Sequence, residues 1–207
     1  VDIRGSGESD GLLLDEYLQQ ELEDAVEVIG WLEQQDWCSG KVGMMGKSWG
    51  GFNSLQVAAL RPAALKAIIT VCSTDDRYAD DCHYRGGALL IENFSWASTI
   101  SCYMAKSPDP LLLPETWREH WLERLQNIPL FARNWLEHTY KDAYWKHGSI
   151  NEDYSAIEAA VYCVGGWGDA YSVAIPRIIQ GLSGPKKALI GPWAHKYPNF
   201  ASPKPEM

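Results

Sequence analysis

The spacing of apolar positions changes several times along the chain, and each change marks an element. Between residues 24 and 35, Ala25, Val28, Ile29 and Leu32 fall at i, i+3, i+4 and i+7, one face of a helix, and Ser39-Gly40 closes it. Residues 42–45 form a short apolar run bounded by glycines, the signature of a strand buried on both faces. A helix over 49–60 follows and stops at Arg61-Pro62. Residues 65–72, rich in Ile, Val and Thr, read as the next strand. Two more strands, at 161–164 and 188–190, flank a helix over 172–182. Residues 1–4 read as the end of a further strand that runs into the turn Gly5-Ser6-Gly7. Strands alternating with helices predict an α/β fold, a mostly parallel sheet with helices on its faces.

Residues 77–158 break this rhythm. They hold no convincing strand. Pro114-Glu115 suits a helix start, because proline needs no N–H acceptor in the first turn. Trp117, Trp121 and Leu125 then repeat every four residues, and 128–140 suits another helix. The pattern divides the chain into an α/β core at 1–76 and 159–207 and a helical cap subdomain at 77–158, placed over the carboxyl ends of the strands. The aromatic stripe is read first as the insertion's own packing.

Composition narrows the picture. Hydrophobic residues make up 46 % of 207, enough for a core. A net charge of −9 argues against a nucleic-acid surface, which needs clustered Lys and Arg. No run approaches the roughly 20 apolar residues of a membrane span, and no signal peptide opens the sequence. Five cysteines without a C-x-x-C pair point to neither a disulfide framework nor a zinc site. Cys72 and Cys163 read as core residues, and the expected compartment is the reducing cytoplasm. Asn93-Phe94-Ser95 matches the glycosylation triplet by pattern alone.

Gly46-Lys47-Ser48-Trp49-Gly50 fits G-x-S-x-G between a predicted strand and a predicted helix. A sharp strand-to-helix turn would lift Ser48 above the sheet, at the positive end of the following helix. The Trp49 N–H would then donate into an oxyanion hole. A serine hydroxyl needs a base, and the nucleophile, acid and base follow in that chain order in such folds. His195, after the last strand, is the candidate base. Asp169, after the preceding strand, is the candidate acid that fixes the imidazole tautomer. Asp75 and Asp76, after the strand at 65–72, are rival acids. His83, His120, His138 and His147 fall in the insertion and are expected on the solvated surface. Asp80-Asp81-Cys82-His83 holds ligand types, but adjacent positions do not readily converge on one ion, so no catalytic metal is expected.

Four segments carry a family resemblance: Asp2-Ile3-Arg4-Gly5-Ser6-Gly7-Glu8-Ser9-Asp10-Gly11, the turn at 46–51, Gly166-Trp167-Gly168-Asp169, and Gly191-Pro192-Trp193-Ala194-His195. Together they resemble the X-Pro dipeptidyl-peptidase-like acyl hydrolases, the group of cocaine esterase, α-amino-acid ester hydrolases and cephalosporin acylases. The resemblance implies an α/β-hydrolase fold, the triad Ser48, Asp169 and His195, and a cap that shapes the acyl pocket. It places Trp49, Trp167 and Trp193 beside the triad, Trp167 and Trp193 as candidate substrate contacts. Members carry several strands before the first segment, a jelly-roll domain after the last, and an upstream tyrosine as second oxyanion donor. The chain therefore reads as part of a longer protein, with its first strands missing and nothing replacing that tyrosine. The expected reaction is acyl transfer on a small ester, amide or peptide, without a cofactor. X-Pro dipeptidyl-peptidase activity is the second reading, with Asp75, Asp76, Asp80 and Asp81 as candidate partners for a free α-amine. A catalytically impaired binding module is the third.

Overall fold

A computed structural model describes residues 1–202 and residue 204 of the chain. Four parallel strands form the central sheet: β1 (Val42–Lys47), β2 (Leu65–Val71), β5 (Ala160–Gly166) and β6 (Lys186–Gly191), in the spatial order β1-β2-β5-β6. Helices α1 (Gln19–Glu33), α2 (Trp49–Ala59) and α7 (Ala174–Gly181) pack with it. Leu55, Val57, Ile68, Val161, Cys163, Ala174 and Ile178 make its core. Such residues do so because central parallel strands bury both faces.

Between β2 and β5 lie a two-residue hairpin, β3 (Tyr84–Arg85) and β4 (Ala88–Leu89), and helices α3 (Glu92–Met104), α4 (Trp117–Asn127), α5 (Phe131–Glu137) and α6 (Ala143–Lys146). Their core holds Ile100, Phe131, Trp135 and Trp145. Trp117 and Trp121 stack at 6.1 Å, and the Trp121 indole donates to the Ala105 carbonyl at 2.8 Å. Both tryptophans are half-buried, Leu125 is 41 % exposed, and none of the three belongs to that core, so the stripe is only partly packing.

Three expectations need correction. Residues 1–4 form no strand; the segment is bent by hydrogen bonds from Gly5 N–H to Asp10 O and from Ser6 N–H to Ile3 O. Helix α1 begins at Gln19, five residues before the predicted start at 24, because the buried Leu22 carries the apolar stripe back one turn and the Gln19–Glu23 and Gln20–Asp24 side-chain bonds support the exposed face. The insertion holds the small hairpin β3–β4, too short to show a period, and the 13-residue α3, which was not predicted although Ala97, Ile100 and Met104 fall at i, i+3 and i+7 on its buried face.

The outer edge of β1 has no partner strand among the described residues, and Met45 is 63 % exposed there. Beside this edge, between α1 and β1, an apolar trough of about 290 Å³ runs past Ala25, Ile29, Leu32 and Met44. Among the described residues, no helix is long and apolar enough to cross a membrane.

Candidate active site

Ser48 sits between β1 and α2 with φ 57° and ψ −124°, a region an L-residue occupies only when its surroundings enforce it. Here they do. Its N–H donates to Val71 O at 2.8 Å, and its carbonyl accepts from Gly51 and Phe52 as the helix opens. A Cβ on Gly46 would stand 2.1 Å from the Gly50 carbonyl carbon, so only glycine lets strand and helix meet this closely. The first N–H groups of α2, Trp49's among them, have no intrahelical acceptor, at the positive end of the helix dipole.

Asp169 and His195 follow β5 and β6, which are neighbours in the sheet. Trp167 N–H donates to Gly191 O at 2.8 Å and Gly168 N–H to Trp193 O at 3.0 Å, which binds the two loops together. A Cβ on Gly166 would fall 1.8 Å from Trp193 O, so the contact depends on that glycine. The result is a hydrogen bond from His195 Nδ1 to Asp169 Oδ1 at 3.0 Å. Burial opposes the Asp169 charge, but the His195 bond and the neighbouring Cys72 thiol hold its pKa below the ordinary carboxylate value. The rival acids are engaged elsewhere. Asp75 pairs with Arg177 and Tyr154, and Asp76 with Lys141, Asn151 and the N–H groups of Tyr78 and Ala79. Among the described residues, no side chain hydrogen-bonds the Ser48 hydroxyl, His195 included. Such bonds are commonly loose in substrate-free sites and tighten in the reactive complex.

Ser48 opens into a cleft of about 210 Å³. Five aromatic rings run along it in sequence, Trp96, Trp49, Tyr17, Phe52 and Tyr171, each 5.2–5.8 Å from the next. Tyr171 also lies 5.7 Å from the His195 ring. Trp193 instead packs in a core cluster with Val71, Cys72 and Val164, and Trp167 points into solvent, 67 % exposed. Neither lines this cleft.

Beneath the cleft lies a buried ionic network that the sequence did not reveal. Glu16 accepts from His83 Nε2 at 2.5 Å and Trp96 Nε1 at 2.9 Å, and Arg77 stands 3.5 Å away. Burial alone would raise the Glu16 pKa, yet His83 and Arg77 hold it at about 2. His83 itself is fully buried, contrary to the surface role expected of it. Burial works against its charge, but Glu16 and Asp81 raise its pKa. A histidine beside an unread carboxylate cannot be told from a solvated one by sequence. His147 is half-buried and donates to Tyr17 O, and His138 is a half-buried partner of Asp142. Asn93 is buried against His83, so its glycosylation triplet is a packing feature.

Two further carboxylates touch the site. Asp81 lines the cleft, accepts from Tyr171 O–H at 2.8 Å, and leaves Oδ2 without a hydrogen-bond partner although the residue is buried. Burial, with the Glu16 charge nearby, raises its pKa. Glu21 accepts from the Trp49 indole at 2.6 Å and from Asn53 at 2.7 Å, which fixes the first turns of α2. Its burial pushes the carboxyl up to about 7.

Comparison with known proteins agrees with this architecture. The model of the X-Pro dipeptidyl-peptidase (S15) family matches residues 1–197. The chain belongs to that family. It is similar to the cocaine esterase of Rhodococcus sp. (strain MB1 Bresler), 25 % identical over 195 residues, which cover 83 % of this chain and 34 % of the esterase. In structure it resembles a CocE/NonD family hydrolase from Staphylococcus aureus, with a TM-score of 0.68 at 22 % identity, covering 91 % of this chain and 31 % of that one. It also resembles an α-amino acid ester hydrolase, with a TM-score of 0.60 at 21 % identity, covering 96 % and 37 %. The fold is thus that of the α/β hydrolases, and the S15-family chain spans about a third of these relatives' length.

Proposed function

We propose that this chain carries the acyl-transfer site of a serine hydrolase that cleaves esters or amides. The observation that carries the reading is the His195–Asp169 pair, built on strand ends of the sheet whose other strand end holds Ser48 in a strained turn. In this reading Asp169 fixes the tautomer that leaves His195 Nε2 free to accept a proton. Ser48 Oγ attacks the substrate carbonyl and forms the C–O bond while His195 takes the hydroxyl proton. The C–O or C–N bond to the leaving group breaks, and His195 returns the proton to the departing alcohol or amine. Water then hydrolyses the acyl-enzyme by the same route, without a cofactor. The Trp49 N–H stabilises the oxyanion. Residues 77–158 act as the cap, supplying Trp96 and Asp81 to the acyl cleft. Ser48→Ala in the full-length protein is expected to lower kcat on p-nitrophenyl esters on the order of 10⁶-fold. Near-unchanged turnover with a folded variant would refute the assignment.

Asp81 favours one narrower reading, a substrate whose acyl part bears a free α-amine, as in an X-Pro dipeptide or an α-amino-acid ester. Its Oδ2, which accepts no hydrogen bond and has only His83 Nε2 at 4.0 Å as a charged neighbour, and the surrounding aromatic faces suit an ammonium group. Asp75, Asp76 and Asp80 are tied into ion pairs and do not serve this purpose. Asp81→Asn should raise KM for an X-Pro anilide roughly tenfold or more and leave the N-blocked form nearly unaffected. Equal effects on both substrates would remove the amine from the reading.

A further inference from the structure

The carboxyl ends of β2, β5 and β6, adjacent in the sheet, deliver three side chains to one point behind the proposed base. Cys72 follows β2, Asp169 follows β5 and His195 follows β6. The Cys72 sulfur, one Asp169 carboxylate oxygen and one His195 ring nitrogen all lie within 4.8 Å of one another. Cys72 is held there with φ 51°, a left-handed backbone unusual for a side-chain-bearing residue. Asp169 Oδ2 is buried, with the residue 7 % exposed, and has no hydrogen-bond partner. The carbonyls of Ala194 and Lys196 stand 4.0 and 3.8 Å from the sulfur. Val71, Val164 and Trp193 share a buried core cluster with Cys72.

We propose that Cys72, Asp169 and His195 form a binding site for a borderline-soft divalent cation, of which Zn²⁺ is the type, and that filling it switches off the base. Thiolate, imidazole and carboxylate are the ligand set zinc prefers, and three protein ligands leave a fourth position for water. Zinc bonds of about 2.0–2.2 Å to N and O set these atoms about 3.3 Å apart in a tetrahedron. His195 Nδ1 and Asp169 Oδ1 are now 3.0 Å apart, within a few tenths of an ångström of that spacing, and the Cys72 sulfur, within 4.8 Å of both, would close on the ion from the third side.

The chemical step balances without redox change. The Cys72 S–H bond breaks, an S–Zn bond forms, and the thiol proton leaves to solvent. His195 Nδ1 gives up its proton to bind the metal while Nε2 gains one, so the ring stays neutral. With a proton on Nε2, the ring can no longer accept the Ser48 proton. The metal site stands on its own geometry. The inhibitory consequence rests on the acyl-transfer reading above, and the two are tested by separate signals.

The test uses the full-length protein, its Cys72→Ala variant, and Cys102→Ala, whose exposed thiol lies outside the site. Micromolar Zn²⁺ should suppress ester turnover of the parent and Cys102→Ala, with recovery on adding EDTA. Cys72→Ala should need roughly 10²-fold more Zn²⁺. Independently of activity, Co²⁺ should give a thiolate-to-metal charge-transfer band with the parent and Cys102→Ala but not with Cys72→Ala. Asp169→Asn, read by the band alone, should weaken Co²⁺ binding roughly tenfold or more, and it serves if Cys72→Ala does not fold. Equal Zn²⁺ sensitivity in Cys72→Ala, no band in the parent, or a band that survives in Cys72→Ala but vanishes in Cys82→Ala would overturn the proposal. The expected band in a protein without ester turnover would uphold the metal site while refuting the hydrolase reading.

Discussion

Carboxylates 75, 76 and 169 all follow strands of one sheet, yet only Asp169 meets the imidazole. The difference lies in what each neighbour offers. Lys141 and two backbone N–H groups hold Asp76, and burial against these bonds still leaves its pKa lowered. Exchanging the acids separates catalysis from stability. Asp169→Asn should lower kcat on the order of 10⁴-fold, because an amide favours the wrong histidine tautomer. Asp76→Asn should instead lower thermal stability, by about 1–3 kcal/mol, with kcat per folded molecule little changed. Steady-state kinetics beside thermal melts read both effects, and the reverse outcome would shift the acid to Asp76. These candidates were legible in sequence because their positions follow strand ends. Which of them bonds His195 was not, because it depends on loops that meet through Gly166 and Trp193.

At the scale of elements, the segment before α1 does more than its pattern shows. Asp15 accepts from Trp135 and Tyr144, Glu16 from His83 and Trp96, and Tyr17 O from His147. Three consecutive residues thereby tie α3, α5, α6 and the β2–β3 segment to the core. The core strands and α2 were readable because their apolar periods reflect burial against a sheet. The ionic joint was not, because acids among leucines, as in Leu12-Leu13-Leu14-Asp15-Glu16, carry no partner information. Their interruption of an apolar run was the one available sign. Glu21 shows the cost of such burial. Its carboxyl titrates at about 7 against an ordinary 4.5, so the fold prefers the protonated form. Its contribution to stability is full below pH 4.5 and is lost as pH rises through about 7. The difference is worth on the order of 3 kcal/mol. Glu21→Gln keeps an acceptor for Trp49 and Asn53 but carries no titrating proton. Its melting temperature should rise relative to the parent between pH 5 and pH 8.5. Parallel pH curves for the two proteins would exclude this role for Glu21.

Across the whole molecule, the four strands deliver every candidate group from the same end of the sheet: Ser48 after β1, Cys72 after β2, Asp169 after β5 and His195 after β6. A parallel sheet makes this possible, since all its carboxyl ends face one way. Among the described residues, the same sheet leaves the edge of β1, the strand that leads to Ser48, open beside an apolar trough. Parallel strand order was implicit in the alternation of elements. The buried acids under the cleft were not, since each depends on contacts from distant parts of the chain. The account turns on Ser48 being the activated nucleophile. Treatment of the full-length protein with a fluorophosphonate, followed by peptide mass spectrometry, tests this directly. The account predicts a single adduct on the peptide carrying Ser48, formed far more slowly in His195→Gln. An active protein left unlabelled at Ser48, or labelled at another residue, would contradict it.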